Sequence, residues 1–159
     1  MRKRYSVALS FLLLIGITCY SFYTHKPHSY SHGEVPETAF SAERALQQLK
    51  YISAQQHSVG TPGHQKVQDY LVSVLEGMGL EVQLEEGFSY KAGWGALSKA
   101  VNIITRIPGT DGNKSLLLMS HYDSAPHTAS YGASDAGSGV VTVLEAVRAY
   151  LATGQKPKN

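Results

Sequence analysis

Apolar and polar positions change their rhythm several times along the chain. Residues 6–23 hold no charged side chain and centre on Phe11, Leu12, Leu13, Leu14 and Ile15. A membrane-spanning helix needs about 20 mostly apolar residues, so this run sits near the lower limit. After a polar stretch the pattern turns helical: Ala42, Ala45, Leu46, Leu49 and Ile52 recur at three- and four-residue intervals behind Ser41, a residue type that caps helix N-termini. Gly60-Thr61-Pro62-Gly63 predicts a turn. Val67, Tyr70, Leu71, Val74, Leu75 and Met78 form the stripe of a second amphipathic helix, with Gly79 placed to close it. Residues 80–84 alternate apolar and polar, the period of a half-buried strand. Residues 88–100, interrupted by Gly93, Trp94 and Gly95, read as a loop; residues 101–107 read as a β-branched strand and residues 108–112 as a turn. Residues 116–119 are continuously apolar, which predicts a strand buried on both faces and close enough to pair with the strand before it. A Gly-, Ser- and Ala-rich loop over residues 130–139 leads to a third helix marked by Val140, Val143, Leu144, Val147 and Leu151, ending at Gly154 ahead of Pro157.

The order helix, helix, strand, strand, strand, helix predicts an α/β fold, a layered mixed β-sheet with flanking helices. Residues 156–159 read as the approach to a further strand, so the sheet is expected to be incomplete at its C-terminal end. A chain of 159 residues, 43% hydrophobic and 16% charged, has the length of one domain and the composition of a folded one. The net charge of +2 is too small, and too scattered, for a nucleic-acid-binding surface. Arg2, Lys3 and Arg4 belong instead to the apolar N-terminal segment. Three readings of that segment stay open: an uncleaved anchor, a cleaved secretory signal, and a lipoprotein signal at Cys19. Tyr20, Phe22 and Tyr23 suit the interfacial belt of an anchor. No small-x-small cleavage site follows, and Gly16-Ile17-Thr18 matches the lipoprotein pattern poorly. The expected organisation is residues 1–23 as anchor or signal, 24–39 as a polar tether, and 40–159 as the folded domain. Basic residues stay on the cytoplasmic side, so the folded domain is expected on the other side. His25, His28 and His32 fall in or beside the tether and read as solvated linker residues. One cysteine permits no internal disulfide and no Cys-based zinc site, so a metal here must be held by His, Asp or Glu.

His121-Tyr122-Asp123 directly follows the apolar run. Side chains at i and i+2 of an extended segment point the same way, so Asp123 can accept a hydrogen bond from one ring nitrogen of His121 and fix its tautomer. Asp135 stands in the small-residue loop ahead of the third helix. One reading makes it a helix N-cap; the other makes it a ligand that small neighbours allow to be approached closely. Two such donors at the carboxyl end of a sheet suit zinc. The loop lacks a P-loop Lys and dinucleotide spacing. Ser134 and Ser138 sit in no Gly-x-Ser-x-Gly elbow. Glu145, well inside the third helix, reads as a helix residue rather than a base.

Leu117-Leu118-Met119-Ser120-His121-Tyr122-Asp123-Ser124, then Gly132-Ala133-Ser134-Asp135, then Gly139-Val140-Val141 and Leu144-Glu145, resembles metallopeptidase family 28, the di-zinc aminopeptidases and carboxypeptidases, and within it the membrane-bound branch. His57-Ser58-Val59-Gly60-Thr61-Pro62-Gly63 and Val101-Asn102-Ile103-Ile104 are similar as well, so the resemblance covers residues 42–151. It implies a zinc-exopeptidase-like fold, two zinc ions, a peptide substrate and attack by a metal-activated water. Residue by residue it implies that His121 binds one zinc, Asp123 orients His121, and Asp135 bridges the two ions. Ala136 departs from the family, where many members carry Asp or Pro. The family's general-base Glu and remaining ligands follow the next strand, and none is assigned here. The chain is therefore expected to be the N-terminal part of a membrane-anchored exopeptidase of aminopeptidase type, truncated and inactive alone. Two readings stand against it: a non-catalytic membrane-tethered interaction module derived from the same fold, and a structural domain whose His and Asp are incidental.

Overall fold

The computed structural model describes residues 2–26 and 34–158. His28 and His32 of the expected tether lie outside the described residues. The chain divides into two units, residues 1–30 and 31–159.

Among its described residues the first unit holds one helix, α1 (Arg2–His25), of which Tyr5–His25 is long and apolar enough to cross a membrane. Two of its hydroxyls turn back on the helix: Ser10 Oγ donates to Ser6 O at 3.0 Å and Thr24 Oγ1 to Ser21 O at 3.0 Å.

In the second unit, α2 (Ala42–Ile52) begins where the sequence places its cap: Ser41 Oγ accepts from Arg44 N at 3.2 Å. α3 (Pro62–Gly77) starts behind Thr61, whose Oγ1 accepts from His64 N at 3.2 Å, with Pro62 in the first turn, where its missing N–H costs nothing. α4 (Ser138–Ala152) follows the small-residue loop as expected. The three apolar stripes meet in one core: Ala45 and Ile52 from α2, Val67, Leu71 and Leu75 from α3, and Val140, Val141 and Leu144 from α4.

β1 (Val82–Lys91) and β2 (Ala96–Thr105) form an antiparallel hairpin, in register from Val82 opposite Thr105 to Lys91 opposite Ala96. The expected loop over residues 88–100 is therefore mostly strand. Only residues 92–95 turn, and Gly95 closes the turn at φ +57°, where side chains are disfavoured. Val82 and Ile103, at the hairpin base, pack on the helical core, while Phe88, Tyr90 and Leu97 near its tip are exposed.

Helices and sheet give the α/β class that the periodicity predicts, and the sheet among the described residues has two strands. The predicted strand at residues 116–119 is not formed, and its pairing with β2 is replaced by that of β1. Leu117 and Met119 are 76% and 79% exposed. An apolar run becomes a strand only where a neighbour supplies its hydrogen-bond ladder, and here none does. Beyond α4 the chain turns at Gly154 and lies along residues 110–111. Thr110 N donates to Pro157 O at 2.9 Å and Asp111 N to Lys158 O at 2.8 Å.

Glu145 is the charged residue at the centre of the helical packing, with no exposed side-chain surface. Its Oε1 accepts from Ser41 N at 2.9 Å, Arg44 Nε at 3.0 Å and Arg148 Nη2 at 2.9 Å; its Oε2 accepts from Arg148 Nε at 2.7 Å. Burial alone would push its carboxyl up, but these donors and the charge of Arg148 bring it below the ordinary glutamate value. The same two arginines bond to Val35 O, Pro36 O, Ala39 O and Glu37, pinning the segment that leads into α2. Glu145 is thus an ionic tie between α2 and α4, in keeping with its reading as a helix residue.

Candidate functional site

Residues 120–124 run as irregular chain beside the helical core and become more buried along their length. Tyr122 is half-buried and Ser124 fully buried, while His121 stays exposed. Ser124 is held by His57 of the α2–α3 loop in a two-way exchange: His57 N donates to Ser124 Oγ at 2.9 Å, and Ser124 N to His57 O at 3.2 Å. The inward residues thus fix the segment, and His121 and Asp123 reach each other as the i, i+2 spacing requires.

Asp135 arrives from a tight turn over residues 133–137, closed by Gly137 N donating to Gly132 O at 2.8 Å. Its backbone is extended (φ −117°, ψ 96°), and the peptide that follows it is cis. It does not cap α4, whose cap is Gly137 without a side-chain bond. The N-cap reading is thereby replaced: Asp135 Oδ1 lies 2.9 Å from His121 Nε2. On the other side of the ring, His121 Nδ1 lies 3.2 Å from Asp123 Oδ1 and 3.3 Å from Asp123 O.

His121 therefore has a carboxylate at each ring nitrogen. Burial is the largest single influence on it and lowers its pKa, but the hydrogen bond to Asp135 and the charge and hydrogen bonds of Asp123 together carry it above the ordinary histidine value. Ionised carboxylates only accept hydrogen bonds. Both ring nitrogens must then carry protons, or the proton between Nε2 and Asp135 must give way to another cation. Two ligands on one tetrahedral zinc, with bonds of about 2.0–2.1 Å, stand roughly 3.3 Å apart. The 2.9 Å between His121 Nε2 and Asp135 Oδ1 needs only a small opening to reach that separation. One imidazole and one carboxylate suit zinc in donor type. Among the described residues no group of three such side chains converges, so these two fit as a share of a centre.

The serine alternative finds no support. Ser138 Oγ donates to Ser134 O at 2.7 Å, a bond internal to the turn. Sequence reasoning assigned no structural task to His57 and His64, both buried. His57 braces Ser124. His64 stacks on Tyr122 with ring centroids 4.6 Å apart and an interplanar angle of 16°, and burial, against the opposing charge of Asp123, lowers its pKa. The only sequence signal for His57 was its place in the segment His57 to Gly63 that carries the family resemblance, and His64 had none.

Residues 102–159 match the sequence model of peptidase family M28. Over 98% of its length the chain is 31% identical to a vacuolar membrane protease of Candida tropicalis, and it spans 18% of that protein. Among solved structures it is similar to the glutaminyl cyclase of Porphyromonas gingivalis, with 34% identity, a TM-score of 0.60, and coverage of 74% of this chain and 41% of that one. It is also similar to a Zn-dependent exopeptidase of Parabacteroides distasonis, with 30% identity, a TM-score of 0.57, and coverage of 72% and 42%.

Proposed function

Because the chain belongs to peptidase family M28 through residues 102–159, we propose that it carries part of the metal centre of a membrane-anchored, zinc-dependent exopeptidase of aminopeptidase type. The observation that supports this reading is the opposition of His121 Nε2 and Asp135 Oδ1 at 2.9 Å, with Asp123 behind the ring. In it His121 and Asp135 hold zinc. Asp123, by accepting from Nδ1, keeps Nε2 directed at the metal and raises its basicity. Asp135 is 84% exposed, which leaves its second oxygen free to reach a second ion in the bridging role. Zinc, when bound, polarises a substrate carbonyl and lowers the pKa of a bound water. A catalytic zinc takes three protein ligands, so these residues alone are expected to bind the metal without hydrolysing peptides.

In this reading α1 is the anchor, with Arg2, Lys3 and Arg4 on the cytoplasmic side and the second unit on the other. The membrane-protease name of the Candida relative supports the anchoring. The exopeptidase neighbour supports peptide bonds as the substrate.

The test is zinc titration of the full chain in lipid nanodiscs, alongside peptide assays of the native protein from its own membranes. Saturable zinc binding that falls at least tenfold in both His121→Ala and Asp135→Ala is the expected result. Binding unchanged by either substitution overturns the site. In the assay, release of N-terminal residues from unblocked peptides is expected. Ammonia release from peptides beginning with Gln would instead place the protein with the cyclase neighbour, and zinc binding without either activity would favour the non-catalytic module.

A further inference from the structure

Residues 120–124 have no strand partner among the described residues, yet they carry the two side chains that must be aimed most accurately. Ser124 anchors one end of the segment through His57, and the residue between His121 and Asp123 supplies a second hold. Tyr122 OH lies 2.9 Å from Val101 O on β2 and 3.3 Å from Gln68 Oε1 on α3, and its ring stacks on His64, also on α3. A phenol has one proton, and the shorter contact gives it to Val101 O. Turning the Gln68 amide over then lets its NH₂ donate to the phenol oxygen, so that both contacts are satisfied. Burial, reinforced by the charge of Asp123, pushes the Tyr122 hydroxyl up to about 12, so it keeps its proton across the physiological range. α3 is set up to receive this ring. The Thr61 cap fixes where the helix starts, and His64 and Gln68 stand at i and i+4, neighbours on one helix face.

We propose that Tyr122 is a positioning residue: its stack on His64 and its bond to Val101 lock the main chain between His121 and Asp123, and so set the angle at which His121 presents Nε2 beside Asp135. The inference builds on the metal-site reading above, but part of its test needs no metal. The measurements are the order parameter of the His121 imidazole by ¹³C relaxation in the metal-free full chain in nanodiscs, and the zinc affinity of the same samples. Tyr122→Phe removes only the hydroxyl. It is expected to mobilise the His121 ring from a rigid value near 0.85 to below about 0.6, and to weaken zinc binding about tenfold. His64→Ala, which removes the stack, is expected to do the same, and His64→Phe to restore the wild-type values. A purely structural tyrosine would lower the melting temperature and leave the His121 ring and zinc affinity as they are. That result in folded Tyr122→Phe overturns the proposal, and if this variant fails to fold, the same result in His64→Ala overturns it. Ring mobilisation in a chain that binds no zinc would uphold the positioning and sink the metal site. Zinc binding lost in His121→Ala but unaltered in Tyr122→Phe would do the reverse.

Discussion

At His121 the decisive fact is that carboxylates stand at both ends of one ring. Asp123 is 30% exposed and tied to a main chain that is itself braced, whereas Asp135 is 84% exposed and held by a turn. Removing either charge should therefore cost little stability and much affinity. Asp123→Asn is expected to weaken zinc binding about 10- to 100-fold while the thermal midpoint stays near that of the wild type. A fall in the midpoint with unchanged affinity would show Asp123 to be a packing residue. The loop glycines tell a different story from the one their composition suggests. The sequence places small residues around Asp135, and that much was legible, but it suggested room left for a ligand. Asp135 itself stays 84% exposed, but the glycines flanking it are packed against protein. At Gly132, at φ +65°, an added Cβ would stand 3.1 Å from both His57 Cε1 and Ser124 Cβ. Gly132→Ala is expected to destabilise the chain by about 1–2 kcal/mol from the left-handed backbone alone, read as a lower midpoint in thermal melts. One of these two partners, His57, lies in the loop between α2 and α3, far earlier in the chain, and periodicity carries no information about such a pairing.

At the scale of elements, the three core helices were legible because each carries its own stripe and its own cap, and a helix satisfies its hydrogen bonds internally. Strands satisfy theirs across the sheet, so their existence depends on partners that the local pattern does not name. Residues 88–100 read as a loop because of their glycines, yet those glycines only make the turn, and Phe88, Tyr90 and Leu97 extend the ladder on either side. Residues 116–119 failed for the opposite reason: the run is apolar enough, but no strand pairs with it among the described residues. Glu145 was legible as a helix residue and illegible as a tie, since its partners Ser41 and Arg44 belong to another helix. Replacing it by Ala would strand two arginines that are 29% and 19% exposed. That residual hydration holds the expected loss to about 3 kcal/mol, the low end for breaking a buried pair. The same group sets an acid limit. Because its folded pKa lies below its unfolded value, its contribution is full above the ordinary glutamate value and is lost as pH falls through the depressed one. Acid titration of the melting temperature, wild type against Glu145→Gln, should show that downward slope only in the wild type.

Across the whole molecule, the longest run of exposed apolar side chains among the described residues of the second unit is at residues 116–119. A contiguous exposed apolar run is a common site of association. Leu117→Lys with Met119→Lys is expected to change folding stability by no more than about 0.5 kcal/mol, as for exposed sites in general, and to reduce self-association in sedimentation. If the run were buried on both faces, as its sequence pattern suggests, the double substitution would unfold the protein, and the melt would show it.

The arginine clasp on residues 35–39 has a mechanical meaning. These residues lie near the start of what is described of the second unit, so a pull along the chain from its N-terminal side would load them early. Arg44 and Arg148 fasten them by hydrogen bonds to Val35, Pro36 and Ala39 and by ion pairs to Glu37. A tug would be shared among several polar bonds before it reached the apolar core, and the clasp is rooted, through Glu145, in the helix whose leading turn carries Asp135. It works as a strain relief, of the kind that keeps a cable from pulling on its plug.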